Sequence, residues 1–151
     1  MRQNVNENNW SESIAIVPPV SHQFDAATND SDKSFVVPDN EMWELNFAHV
    51  LFTSTATVGN RQILMELIDA DNNIVLDLAA GALQAASLVR HYAFLQGIYR
   101  ETSFVDNEIQ VPLPQAGFLL PGWTLRVYDE NAVDAAADDM TVSFQYRKYA
   151  V

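Results

Sequence analysis

"MTVSFQYRKY", residues 140–149, decides the fold. Met140, Val142, Phe144 and Tyr146 fall on one side of an extended chain, and Thr141, Ser143, Gln145 and Arg147 on the other. Period-two alternation marks a strand with one face in a core and one in water. "TLRVYDE" (124–130) repeats it, with Leu125 and Val127 opposed to Thr124, Arg126 and Tyr128. "EMWELNFAHVLF" (41–52) predicts a strand with Trp43, Leu45, Phe47, His49 and Leu51 on one face. "RQILMELID" (61–69) groups Ile63, Met65 and Leu67, and "NIVLDLAA" (73–80) groups Ile74, Leu76 and Leu78.

The segments between them carry turn chemistry. "DADNN" (69–73) reads as a hairpin connection, because Asp and Asn tolerate positive φ. Gly59-Asn60, Gly117 and Pro121-Gly122 mark further turns. "AAGALQAAS" (79–87) is compatible with a helix, but it is short and Gly81 interrupts it, so a loop or a single helical turn is expected. About eight short antiparallel strands predict an all-β domain, a β-sandwich or jelly roll, over residues 34–151.

Residues 1–33 differ. Polar runs flank "IAIVPPVSHQF" (14–24), and Pro18-Pro19 bars a central strand or a helix there. The segment reads as an extended N-terminal arm. Its apolar anchors are Trp10, Ile14, Ile16, Val17, Val20 and Phe24, of which Trp10, Ile14, Ile16, Val17 and Phe24 are the expected partner-binding residues. Two readings stay open: the arm docks on a partner, or it folds back as an edge strand of its own domain.

The formal charge is −12, from 8 basic and 20 acidic residues among 151. Such a surface repels nucleic acid and anionic lipid and suits solubility or a basic partner. There is no cysteine, which excludes disulfides and thiolate metal sites. "MRQNVNENNW" lacks the apolar core of a signal peptide, and no apolar run is long enough for a transmembrane helix, so neither secretion nor a membrane partner is expected.

Chemistry is sparse. "DENAVDAAADDM" (129–140) holds five carboxylates, but their spacing fits no calcium-loop template and no glycine is present. "DADNN" begins like such a loop, yet Ile74 stands in the glycine place and Ala80 in that of the closing acid. Both read as metal-free, and 129–139 as a solvated loop. Glu66 and Asp77 can face a groove as any strand acids can, and no serine–histidine–carboxylate element or phosphate-cradling glycine loop is legible. His49, on the apolar side of its strand, is expected to be a hydrogen-bonded core histidine. Trp43 is expected to be buried and Trp123 to pack at a sheet end, with a sugar-stacking platform as the rival. No catalytic residue, cofactor or metal is assigned, and an enzyme is not expected.

Two stretches carry a resemblance. "MWELNFAHVLFTSTATVGNRQILMELIDADNN" (42–73) resembles the first hairpin region of small tailed-phage virion proteins, a Trp-x-Leu strand followed by a Thr-rich turn and "GNRQ". "LPGWTLRVYDENAVDAAADDMTVSFQYRKY" (120–149) resembles their closing hairpin, with an "LRV" strand and an acidic, Ala-rich loop. The chain thus resembles the capsid decoration, or cement, proteins of tailed bacteriophages. That resemblance implies a small β-rich domain on the virion exterior, often a homotrimer. Its arms would clasp the major capsid protein and staple neighbouring subunits. Another phage structural component of tail, neck or fibre is the first alternative, and a carbohydrate-binding β-sandwich module the second.

Overall fold

The computed structural model describes residues 18–27, 31–115 and 117–151, and every regular element among them is a strand. In chain order these are β1 (Val20–Asp25), β2 (Asp32–Val36), β3 (Glu41–Thr53), β4 (Ile63–Ile68), β5 (Ile74–Ala79), β6 (Val89–Gln96), β7 (Glu108–Leu113), β8 (Phe118–Leu119), β9 (Thr124–Asp129) and β10 (Asp139–Ala150). One sheet has the order β1-β10-β3-β6-β7, with β8 beside β3; the other is β2-β9-β4-β5. The pairs nest: β1 with β10, β2 with β9, β3 with β6, β4 with β5, all antiparallel. This is one long hairpin rolled into two facing sheets, the eight-stranded jelly roll. The two further strands are additions to it. β7 lies parallel to β6 at the sheet edge, which requires the crossover 97–107.

The core follows from the alternation. Met140, Val142, Phe144 and Tyr146 are buried, as are Leu125 and Val127. Phe144 packs edge-on against Phe35 at 4.8 Å, and Trp43 lies 4.4 Å from Tyr146. Fully burying a side chain of this size contributes about 1.5–3 kcal/mol. The members of the core cluster all lie between Val37 and Tyr146. No helix among the described residues is long and apolar enough to cross a membrane.

β3 departs from its expected face. Trp43 and Leu45 point into the core, but beyond them the inward residues are Ala48, Val50 and Phe52. Gln145 pairs with Phe47 and Tyr146 with Leu45, so Asn46 has no partner across the ladder. One extra residue in a strand turns all later side chains to the other face. Phe47, His49 and Leu51 therefore lie on the outer face, and His49 is not a core histidine. β5 shows a smaller deviation. Leu76 and Leu78 pack against the core, whereas Ile74 is exposed past an irregularity at Leu67/Ile68.

Residues 80–88 form a loop with no helical turn. Gly81 is required there: a Cβ would stand 1.9 Å from the Glu101 carbonyl of the crossover. At the N-terminal side the sheet reaches back to Val20, and Ser31 and Lys33 are buried. Of the segment read as an arm, residues 20–25 and 32–33 belong to the sandwich. Residues 1–17 and 28–30 lie outside the described residues.

Candidate interaction surface

The predicted arm residues Trp10, Ile14, Ile16 and Val17 lie outside the described residues. Phe24 is placed on β1, opposite Ser143, and is 61 % exposed. Val20 and His22 share its outward side, because they pair with Arg147 and Gln145. Where the described chain begins, Pro18 and Pro19 line a shallow groove with Lys148, Tyr149 and Ala150. Lys148 N donates to the Pro19 carbonyl at 3.1 Å, tying the chain to β10 at that point. The groove's rim is polar and internally bonded. Lys148 Nζ donates to Glu41 Oε1 at 2.8 Å, and Trp43 Nε1 to Glu41 Oε2 at 2.8 Å. Those two donors hold the Glu41 carboxyl below its usual range.

From Phe24 an outward row continues across the sheet through Ser143, His49, Ala93 and Gln110. The next row holds Gln145, Phe47, Leu95 and Pro112. These two rows mix apolar and uncharged polar side chains and hold no carboxylate, on a chain of charge −12. The outer face of the second sheet is the opposite. Arg126 grips Asp32 with Nη2 at 2.7 Å and Nε at 3.1 Å, lies 4.0 Å over the Tyr128 ring, and stands 3.6 Å from Glu66. Tyr128 donates its hydroxyl to Glu66 at 2.6 Å. Glu66 is thereby bonded within the sheet, with Asp77 as its cross-strand neighbour.

The acidic stretch 129–139 is not simply a solvated loop. Asp138 and Arg61 are each 0 % exposed and joined by Nε–Oδ2 at 2.8 Å and Nη2–Oδ1 at 3.2 Å. Thr55 N donates to Asp138 Oδ1 at 2.7 Å, while Arg61 Nη1 donates to the carbonyls of Thr57 and Gly59, both at 2.9 Å. Asp134 accepts from the Thr55 and Thr57 hydroxyls at 2.7 and 2.8 Å, and these donors lower its pKa. Asp129 Oδ1 accepts from Gln62 N at 2.8 Å, but Oδ2 is buried without a partner, and burial raises that carboxyl's pKa. Glu130 remains in solvent. Three of the five acids thus fasten this loop to the β3–β4 connection. The residue that sequence reasoning missed is Arg61, within the quoted "GNRQ" turn.

Among the described residues, no group of three or more His, Asp or Glu is placed to hold a metal ion. Trp43 is buried and Trp123 packs partly buried against the core. The apolar pocket between the sheets is lined by Leu45, Met65, Leu67, Leu76, Leu78 and Leu113, together with Pro114 and Gly117. It presents no titratable group.

No family model matches the chain, and no curated protein matches it. Among solved structures, a chain of the infectious bursal disease virus Gx strain structure is similar at 16 % identity and a TM-score of 0.30. The match takes in 89 % of this chain and 41 % of that one, so the protein spans about two fifths of that chain's length. At that level of similarity the match bears neither on the fold nor on the function.

Proposed function

We propose that the protein is a non-enzymatic structural component of a tailed-phage virion. In this reading it binds the outer surface of the capsid, as a homotrimer, and staples neighbouring capsid subunits. The observation that carries the reading is the junction at Pro18-Pro19. A described core built from Val37 to Tyr146 stands beside Pro18 and Pro19, where the described chain begins against Lys148, Tyr149 and Ala150. Upstream of the two prolines the sequence bears Trp10, Ile14, Ile16 and Val17. Prolines keep a segment extended, which lowers the entropy lost when it docks on a partner. The exposed Phe24 and Val20 continue that apolar series along the sheet edge.

Two further features support it. The jelly roll is an architecture that capsid domains use, although lectins and cupins use it too, so this is analogy only. The resemblance of 42–73 and 120–149 to decoration proteins points the same way and is the sole support for the trimer. Stapling works by mass action: surface that exists only in the assembled shell is buried, which stabilises that assembly.

The test is co-sedimentation with purified capsid shells. Removing residues 1–17 leaves every described strand in place and is expected to weaken shell binding at least tenfold. Binding of the truncated chain as tight as that of the full chain would remove the clasp from this reading. Light scattering on the free protein tests the trimer separately.

A further inference from the structure

The bulge at Asn46 has a chemical consequence. It turns His49 outward, where β6 presents His91 on the same face. His49 pairs with Ala93 and Leu51 with His91, so the two histidines are diagonal neighbours on adjacent interior strands. Their rings converge: His49 Nε2 and His91 Nδ1 are 3.0 Å apart, with centroids 5.2 Å apart. A single hydrogen links them, one ring donating and the other accepting.

Two nitrogens bound to one tetrahedral ion at about 2.0–2.1 Å each stand roughly 3.3 Å apart. The nitrogen–nitrogen spacing need grow by only a few tenths of an ångström, and each ring must turn so that its lone pair points at the ion instead of at the other ring. The backbone beneath is held from both sides, β3 by β10 and β6 by β7, so the pair is presented by a rigid surface. A neutral imidazole is the form that binds metal. Glu108, paired with His91 in the β6–β7 register, puts a negative charge beside the site.

We propose that His49 and His91 form a two-nitrogen site for a borderline divalent transition-metal ion, Zn²⁺ or Ni²⁺, with water in the remaining positions. Imidazole selects such ions over Ca²⁺ and Mg²⁺, which take oxygen ligands. No third protein ligand is in place among the described residues, so the coordination sphere stays open. Half of the binding free energy of a structural zinc site corresponds to a dissociation constant on the order of 1–200 µM.

Titration calorimetry of the full chain with ZnCl₂ at pH 7.5 tests the site. One ion per chain is expected, weakened at least tenfold by His49→Gln and by His91→Gln. His22→Gln serves as the control, since His22 stands on β1 away from the pair, and it is expected to leave binding unchanged. Binding no tighter than millimolar, binding that survives the double variant, or loss of binding in His22→Gln would each overturn the site. Should a glutamine variant fail to fold by circular dichroism, the ring-nitrogen NMR signals of the unaltered chain decide. Zinc-induced shifts at His49 and His91 support the site; unmoved signals overturn it.

Discussion

In the β4–β5 turn, Asp69 spends its carboxylate on its own loop. It accepts from Asp71 N at 2.9 Å and from Asn73 N at 2.8 Å, while Asn72 takes φ 66°. In the β9–β10 loop, Asp138 and Asp134 reach residues nearly eighty positions away, Arg61, Thr55 and Thr57. The two stretches are alike in composition, yet one is a local turn and the other a long-range clamp. The difference is the arginine. Only where a buried cation and several amide or hydroxyl donors converge can an aspartate leave water without a large cost. Acid content alone separates neither loop from a metal site.

Breaking the clamp and breaking the core are expected to have the largest effects. Asp138→Ala leaves the Arg61 guanidinium buried and unpaired, which costs about 3–5 kcal/mol in urea unfolding. Phe144→Ala, at the centre of β10, sets the scale of a pure core loss at about 3–5 kcal/mol. The two are expected to be comparable. A loss below about 1 kcal/mol for Asp138→Ala would mean that the loop is no clamp, since that is the range of an exposed ion pair.

The pH dependence sharpens the same contrast, with opposite signs. Burial raises the Asp129 pKa, so the folded state favours its protonated form. Its contribution is present below about pH 4 and is lost as pH rises through the raised folded value. The hydrogen bonds from Asn73 lower the Asp69 pKa. Its contribution is present above about pH 4 and is lost as pH falls through the lowered value. Urea midpoints across acidic pH are expected to shift in opposite directions for Asp129→Asn and Asp69→Asn. Parallel shifts would place both acids in the same environment. The smallest effect is expected for Asp69→Ala at neutral pH: faster amide exchange at Asp71 and Asn73, with the β9–β10 loop unchanged.

Much of this was legible in the sequence, for identifiable reasons. The faces of β9 and β10 follow from strict alternation, because both strands run without a bulge across those residues. The hairpin at 69–73 follows from turn chemistry that acts within five residues. Three things were not legible. Asn46 carries no local sign of being a bulge, since apolar residues occupy both parities after it. Asp138 is buried by an arginine whose proximity only the folded sheet creates. The pairing of His49 with His91 needs both the bulge and the β3–β6 register. Each depends on alignment between distant segments, which alternation does not encode. The β1 edge strand was one of two open readings, and the paired prolines upstream of it do not choose between them.

The central claim is that this jelly roll sits on the outside of a capsid. A reconstruction of the assembled particle by electron microscopy tests it most directly. The account predicts density for the two-sheet domain on the shell exterior, with the segment upstream of Pro18 running onto capsid subunits. Density for the domain at the tail, neck or fibres, or its absence from the particle, would contradict it.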